Sequence, residues 1–169
     1  MQHNSNLFDV IDNFLPQDYF KQLQDLVIYN ANFPYFLIKG VVFEEDDDYQ
    51  FTHLLVDRGN INSAHYNNFV PIFEKLNAKK IQRAKINLQP RSANIELTRP
   101  HKDHDDVEDI KACVLYLNTN NGFTYFGEEK VYSVENRVVL FNGNHLHGGS
   151  TCTDHNVRVV LNINYFDQT

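Results

Sequence analysis

The stretch VRVVLNINYF, residues 157–166, decides the fold, because its side chains alternate in character as they do along a half-buried β-strand. One face of the predicted strand is wholly apolar and carries Val157, Val159, Leu161, Ile163 and Tyr165. The opposite face carries Arg158, Val160, Asn162 and Asn164. We expect the apolar face to pack against helices, and the face with Arg158 to look into a polar cavity or into solvent.

Arg158 is a candidate anion receptor, because a planar guanidinium held in a cavity matches the shape of a carboxylate. The same alternation in KACVLYLN, residues 111–118, places Tyr116 on one face together with Ala112 and Val114. Taken alone, Tyr116 is more typical of a core or sheet-edge position. Beside the Arg158 guanidinium, however, a phenol would complete a carboxylate pocket.

Further β-rich runs precede this strand, and turn residues separate them. The runs are IQRAKINLQ (81–89), IKACVLYLN (110–118), FTYFGEEKVYSV (123–134) and RVVLFNG (137–143). Short strands at this spacing are typical of an antiparallel sandwich or barrel.

Two helices are predicted before these strands. Apolar residues recur at helical spacing around Phe20, Leu23 and Val27, and again in NNFVPIFEKLN at 67–77. Since the helices come first and most of the strands follow, we expect the helices to buttress one sheet from outside.

The length of 169 residues suits one domain with a sizeable core. We predict a mainly β fold of the α+β type in a single domain over 1–169. Residues 1–80 would form the helical and strand support, and residues 81–166 would form the β core.

The charge balance argues against nucleic acid as a partner. The chain has 15 Lys and Arg against 22 Asp and Glu, a net charge of −7, whereas backbone phosphate binding needs clustered cations. No apolar run approaches the roughly 18 residues of a membrane span, and the polar start does not resemble a secretory signal. Cys113 and Cys152 form neither a CxxC pair nor a disulfide framework, so we expect a cytoplasmic location. We interpret the acidic run EEDDD at 44–48 as a solvated loop, with a docking surface for a basic partner as the alternative.

Two histidine-rich stretches are candidates for a metal site. RPHKDHDD at 99–106 contains the pattern His-x-Asp twice, and FNGNHLHGG at 141–149 contains two more histidines. The candidates are the pairs His101–Asp103 and His104–Asp106, and then His145 and His147. Two histidines and one carboxylate, with open coordination positions, are the ligand set of non-haem Fe(II) oxygenases. From the residues alone, either pair and either later histidine fits, and residues 99–106 also fit a plain acidic turn.

The order of a His-x-Asp pair, a distal His and then an Arg on a strand resembles the Fe(II)- and 2-oxoglutarate-dependent dioxygenases. The branch it resembles is the prolyl-hydroxylase-like one, in its small stand-alone phage and bacterial form. The resemblance covers about residues 83 to 166 and includes YLN at 116–118, NGFT at 121–124, NRVVLF at 136–141 and HGG at 147–149. It implies a double-stranded β-helix, or jelly roll, with buttressing N-terminal helices.

The spacing typical of that family separates the alternatives. Its strand tyrosine follows the first histidine by the fifteen residues that separate Tyr116 from His101, whereas His104 is too close. Its distal histidine lies six residues beyond a strand phenylalanine, as His147 lies beyond Phe141. The resemblance therefore implies no catalytic residue beyond a metal centre with three ligands: His101, Asp103 and His147.

The resemblance also implies residues and cofactors around this centre. Arg158 would bind the distal carboxylate of 2-oxoglutarate, Tyr116 would donate its hydroxyl to the same group, and Thr124 and Asn162 would line the pocket. The residues expected, more loosely, to face the substrate are Arg83, Asn87 and His145. The implied cofactor is Fe(II), with 2-oxoglutarate and O₂ as co-substrates and ascorbate as a candidate reductant.

The implied reaction hydroxylates a substrate C–H bond and releases succinate and CO₂. A peptidyl proline or another protein or amino-acid side chain is the expected substrate, with a small metabolite as the alternative. A zinc hydrolase or manganese enzyme could use the same three ligands, but hydrolysis needs no carboxylate receptor such as Arg158. The remaining alternative is a non-catalytic jelly-roll module that binds a ligand or partner, in which His101 and His147 would be incidental.

Overall fold

The computed structural model describes residues 2–4, 7–40, 49–103, 107 and 109–167. Two features predicted from the sequence lie outside the described residues, namely the acidic run 44–48 and the second pair His104–Asp106.

The described part of the chain contains twelve strands and two α-helices. The strands are β1 (Gln2–Asn4), β2 (Phe8–Ile11), β3 (Phe36–Lys39), β4 (Tyr49–Asp57), β5 (Asn60–Ile61), β6 (Lys80–Pro90), β7 (Lys111–Tyr116), β8 (Phe123–Phe126), β9 (Glu129–Tyr132), β10 (Val138–Asn142), β11 (Gly148–Gly149) and β12 (Val157–Phe166). The helices are α1 (Gln17–Gln24), continued by a π-helical turn at Asp25–Tyr29, and α2 (Val70–Lys75), preceded by a 3-10 turn at Tyr66–Phe69.

The strands form two antiparallel sheets. The large sheet has the order β1-β2-β10-β7-β12-β6-β4-β3, with β5 on β4, and the small sheet has the order β11-β8-β9. Strand β12, on which the sequence prediction depends, lies in the middle of the large sheet between β7 and β6. The polar faces of β12 and β6 are therefore neighbours.

The helices cover one face of the large sheet, as their spacing predicts. Helix α1 begins directly after Pro16, whose missing N–H would be unpaired at that position in any case. Phe20, Leu23 and Val27 are buried in one cluster with the apolar face of β12. Burying each such side chain fully stabilises the fold by roughly 1.5–3 kcal/mol. The expectation of helices that buttress one sheet from outside is confirmed.

A second apolar cluster fills the space between the two sheets. Val114 and Val160 of the large sheet meet Phe126 and Val131 of the small sheet in this cluster. Phe8 stacks on Phe126, with 4.6 Å between the ring centroids. The predicted mainly β fold class is confirmed, with two facing sheets and helices on one outer side.

Strand bounds follow the sequence expectation in some places and not in others. The run predicted at 81–89 coincides with β6 to within one residue at each end. The run at 123–134 is a hairpin of two strands, because Gly127 adopts a φ of +60° in the turn that joins them. The strand predicted at 110–118 is shorter, since β7 covers Lys111–Tyr116. No helix among the described residues has both the length and the apolarity that crossing a membrane requires.

Candidate metal centre and anion pocket

A short antiparallel pairing brings two candidate histidines together. His101 and His147 form an isolated bridge, and Leu97 and Ser150 form another beside it. The backbone N–H of each histidine donates to the carbonyl of the other, at 2.8 and 2.9 Å. Residues directly opposite each other in an antiparallel pair project to the same face. The two imidazole centroids are consequently 4.6 Å apart.

Asp103 completes a cluster of three metal-ligating side chains. Its Oδ1 lies 3.9 Å from Nε2 of His101, and its Oδ2 lies 3.8 Å from Nε2 of His147. Both distances are too long for a direct hydrogen bond. One ligand atom from each side chain lies within 4.8 Å of the other two. The three groups thus converge without bonding to one another, as ligands of a common cation would.

Backbone carbonyls orient both imidazole rings. Nδ1 of His147 lies 2.9 Å from the carbonyl oxygen of His145, and Nδ1 of His101 lies 3.2 Å from that of Arg99. An Nδ1–H that donates to a carbonyl leaves the lone pair on Nε2, the atom nearest Asp103 in each ring. Burial lowers the pKa of His147, which favours the neutral ring that a metal requires.

Two neighbouring side chains fix the Asp103 carboxylate. Arg83 donates from Nη2 to Oδ1 at 2.9 Å, and Asn164 donates from Nδ2 to Oδ2 at 2.8 Å. Arg83 Nε also donates to Oδ1 of Asn164 at 3.2 Å, which ties the two supports together. Burial alone would raise the pKa of Asp103, but the protonated form of His147, the charge of Arg83 and the Asn164 hydrogen bond lower it. The carboxylate is therefore ionised and held in one orientation.

Arg158 is buried at another part of the same cavity wall, with 4% of its surface exposed. Its Nε donates to Ser133 at 3.0 Å, its Nη1 donates to Gln89 at 3.2 Å, and its Nη2 lies 3.4 Å from the Thr124 hydroxyl. The guanidinium also lies over the ring of Tyr116, 5.6 Å from its centroid. Burial lowers the pKa of Arg158, and no carboxylate of the described residues forms an ion pair with it. Because a buried cation without a counter-ion is costly, this pocket is suited to an anion.

Two glycines make room for these groups. A Cβ at Gly122 would lie 2.6 Å from Cδ of Arg158 and 2.8 Å from the carbonyl oxygen of Thr151. A Cβ at Gly148, directly after the distal histidine, would lie 2.5 Å from the ring of Tyr125. Any larger residue at either position must therefore displace a side chain of the site.

The three ligand-type residues and Arg158 line one cavity of about 280 Å³. Its polar wall is built from alternate residues of the neighbouring strands β6 and β12: Arg83, Lys85, Asn87, Gln89, Arg158 and Asn162. The alternation of side chains that the sequence predicts is what turns these polar groups into the cavity.

The cavity brings together most of the predicted site residues, but the structure places two of them elsewhere. Those that line it are His101, Asp103, His147, Arg158, Thr124, Asn162, Asn87 and Arg83. Tyr116 does not line the cavity: its hydroxyl donates to the carbonyl of Val131 at 3.0 Å, and its ring lies against the Arg158 guanidinium. His145 lies on a separate hollow, where its Nδ1 is 3.1 Å from the carbonyl oxygen of Leu7. Both placements differ from the expected roles of co-substrate donor and substrate-facing residue.

The chain resembles known proteins in its three-dimensional structure. No family model and no curated protein matches the chain. A prolyl-4-hydroxylase from Pseudomonas putida superimposes with a TM-score of 0.60 and 17% identity, over 96% of this chain and 93% of that one. An oxidoreductase of the 2OG-Fe(II) oxygenase family from Burkholderia pseudomallei gives a TM-score of 0.69 at 14% identity, over 96% and 86% of the two chains. The chain has the fold of the 2OG-Fe(II) oxygenases.

A third matching structure is a prolyl hydroxylase in complex with a peptide. A prolyl hydroxylase from Trichoplax adhaerens, in complex with a peptide fragment of the hypoxia inducible factor oxygen degradation domain, has a TM-score of 0.67 at 15% identity. The superposition covers 97% of this chain and 85% of that one. These matches confirm the predicted jelly roll, and they confirm that the fold resembles that of the 2-oxoglutarate-dependent dioxygenases.

Several residues that shape the site of this oxygenase fold were not predicted from the sequence. Gln89 continues the polar face of β6, so strict alternation would have included it, and Asn164 was placed on the polar face of β12 without a role being assigned to it. Gly122 lies in the NGFT motif, but its close approach to Arg158 was not predicted. Ser133, which accepts a hydrogen bond from Arg158, carries no comparable signal, because it lies in a connection whose path depends on the whole fold.

Proposed function

We propose that this chain is an Fe(II)- and 2-oxoglutarate-dependent dioxygenase that hydroxylates a C–H bond of a peptidyl proline or another protein or amino-acid side chain. One observation carries the proposal. A single cavity holds three converging metal-type ligands and also a buried arginine without a described carboxylate partner. A metal-dependent hydrolase would need the first feature but not the second.

The donor set fits Fe(II). His101, Asp103 and His147 would hold the metal through two imidazole nitrogens and one carboxylate, a donor set that would leave the metal free to bind the co-substrate and O₂ as well. Arg83 and Asn164 would keep the carboxylate in place while these bind.

Arg158 fits the distal carboxylate of 2-oxoglutarate, because a guanidinium offers paired N–H donors to a carboxylate. Thr124 lies beside Nη2, and Asn162 lines the cavity on the same strand as Arg158. Gly149, two residues beyond the distal ligand, has its Cβ position only 3.7 Å from Nη1, so the metal-binding strand and the anion pocket are adjacent. When bound, Fe(II) and 2-oxoglutarate supply the oxidation, in which O₂ hydroxylates the substrate as 2-oxoglutarate is converted to succinate and CO₂. The residues of the chain orient these groups, and no general base is required of them.

A peptide or protein side chain is the proposed substrate, with a small molecule as the alternative. The structurally similar Trichoplax enzyme is in complex with a peptide, which supports this choice. We also propose a cytoplasmic location, with ascorbate as a candidate reductant. Cys113 and Cys152 support it, since both are buried free thiols.

The direct test is the release of succinate from 2-oxoglutarate by protein reconstituted with Fe(II). Wild-type protein should show slow turnover, and Arg158→Gln should raise the KM for 2-oxoglutarate about tenfold or more through the loss of a charged hydrogen-bonding partner. Arg91→Gln, an exposed cation at the end of the polar strand β6, is the matched control and should leave KM unchanged. Succinate release that does not depend on Arg158, or activity that needs zinc and not iron, would rule the proposal out.

A further inference from the structure

Lys85 is a cation in the cavity that the proposed chemistry does not use. It lies on the cavity face of β6 between Arg83 and Asn87 and lines the same wall. Burial, together with the charge of Arg83, lowers the pKa of Lys85 to about 8, although the charge of Asp103 opposes this shift. No described residue forms a hydrogen bond or a close ion pair with its ammonium group. The ammonium is nevertheless mostly protonated at neutral pH.

Two neighbouring amides also lack partners. Asn162 is paired with Lys85 across the sheet, and Asn87 lies two residues further along the cavity face of the same strand. The Oδ1 atoms of both amides are buried and accept no hydrogen bond, and Asn87 is only 8% exposed. Unpartnered buried polar atoms are rare in folded proteins and indicate a missing ligand or water. We call Lys85, Asn87 and Asn162 the Lys85 patch.

The charge of the loaded cavity indicates the sign of the missing ligand. An Fe²⁺ ion and a 2-oxoglutarate dianion would cancel each other, and Arg83 already pairs with Asp103. The sum of charges in the loaded cavity then keeps an excess of two positive charges, equal to those of Arg158 and Lys85. Uncompensated positive charge in a buried cavity favours one more anion, even though the whole chain carries −7.

We infer that the Lys85 patch binds a carboxylate of the substrate, so that the substrate is an amino acid or peptide with a free carboxylate. The inference rests on the proposed function and narrows its substrate class. The ammonium would pair with the carboxylate, and the amides would hydrogen-bond to it and to a neighbouring N–H. The carboxylate could belong to a free or C-terminal amino acid or to an acidic side chain.

The test uses protein loaded with Mn²⁺ and saturating 2-oxoglutarate, which cannot turn over in the absence of iron, and isothermal titration with matched probes. One arm compares the free amino acids, L-proline included, with their amides. The other arm compares N-acetyl-aspartate and N-acetyl-glutamate amides, which have only a side-chain carboxylate, with the corresponding asparagine and glutamine amides. At least one carboxylate probe should bind about tenfold or more tightly than its amide, as expected for a charged hydrogen-bonding pair.

Variants of the lysine connect this preference to the patch. Lys85→Met should abolish the difference between carboxylate and amide, and Lys85→Arg should retain it, so that a general failure of folding is distinguished from loss of the charge. Lys80→Met removes an exposed lysine from the same strand and should behave as wild type. In all three variants the affinity for 2-oxoglutarate itself should stay within about threefold of wild type, a difference of less than 1 kcal/mol.

Three results would overturn the inference. The first is that no carboxylate probe binds, or that amides bind equally well. The second is that Lys85→Met leaves the preference intact. The third is that Lys85→Met weakens 2-oxoglutarate as much as Arg158→Gln does, which would assign the lysine to the co-substrate. If 2-oxoglutarate fails to bind wild-type protein in the first titration, the proposed function itself fails and the inference falls with it.

Discussion

Asn164 illustrates how a single residue outside the candidate ligand set can support the candidate metal centre. Asn164→Ala should weaken metal binding about tenfold, because Asp103 would lose the hydrogen bond to its Oδ2, and partners of metal ligands typically contribute this much. The affinity for Mn²⁺ or Co²⁺, measured by titration, checks this. Asn68→Ala, at an exposed amide before α2, is the control. Equal metal affinity in Asn164→Ala and wild type would mean that Asp103 needs no such support.

Substitution of Gly122 tests the anion pocket around Arg158 without removing any polar group. Gly122→Ala would place a methyl against Arg158 and a backbone carbonyl, so we expect destabilisation of about 1–3 kcal/mol and at least a tenfold loss of 2-oxoglutarate affinity. Gly127→Ala is a control of similar stability cost. Its φ of +60° strains an alanine by about 1–2 kcal/mol, but nothing lies within 4 Å of the added Cβ. If both variants bind 2-oxoglutarate alike, Gly122 does not control the Arg158 pocket.

Because Lys85 is buried with a lowered pKa, we expect the free energy of unfolding to depend on pH. Its pKa is about 8 in the folded protein against an ordinary value of 10.5, so the unfolded chain binds its proton more tightly. The charged form therefore destabilises the fold below pH 8, and this cost disappears as the pH rises towards 10.5. Lys85→Met should be more stable than wild type at pH 7, on the order of 1–3 kcal/mol, with a gap that closes in alkaline buffer. Urea denaturation at several pH values measures it, and a gap independent of pH would contradict it.

At the scale of single residues, the sequence predicted which residues belong to the site better than it predicted where their side chains point. Alternation placed Arg158 on a polar strand face, and the spacing typical of the family that the sequence resembles selected His101, Asp103 and His147, which line the same cavity. Alternation and spacing could not show that the Tyr116 hydroxyl donates to the carbonyl of Val131, because that carbonyl belongs to the small sheet. Nor could they show that His145 turns towards Leu7, a contact across 138 residues of chain.

At the scale of elements, the helices should matter for stability and not for the site. Leu23→Ala in α1 removes a fully buried side chain from the cluster against the large sheet and should cost about 2–5 kcal/mol. Gln22→Ala, the exposed neighbour, should cost little. Denaturant unfolding measures the difference, and metal affinity below the unfolding transition should be the same in both variants. Loss of metal affinity in Leu23→Ala without unfolding would show that the helix does more than buttress the sheet.

Elements with strong periodicity were the predictable ones. The alternation of β12 and β6 and the apolar stripes of α1 and α2 were visible in the sequence, because burial on one face imposes them. The short pairing of His101 with His147 was not visible, since an isolated bridge has no periodicity of its own. The sequence predicted the residues of the candidate metal centre but not the backbone pairing that brings the two histidines together.

At the scale of the whole molecule, the fold was predictable from the order of a few motifs, although no matching structure named above exceeds 17% identity. Packing tolerates wide changes of side chain when the hydrophobic pattern is kept, so the jelly roll persists at that distance. The substrate does not follow from the fold, because function depends on the site and not on the scaffold. Here the site is distinguished by the cations that line its wall.

The central claim is that this chain binds Fe(II) through three residues and 2-oxoglutarate through a fourth. The most direct measurement is an anaerobic titration of the metal-free protein with Fe(II) and then 2-oxoglutarate, followed by visible absorption. We predict a weak charge-transfer band from the chelate. His101→Ala should abolish the band, Arg158→Gln should shift its appearance to higher 2-oxoglutarate concentration, and His104→Ala should leave it in place. A wild-type protein that gives no band, or a band that survives in His101→Ala, would contradict the account.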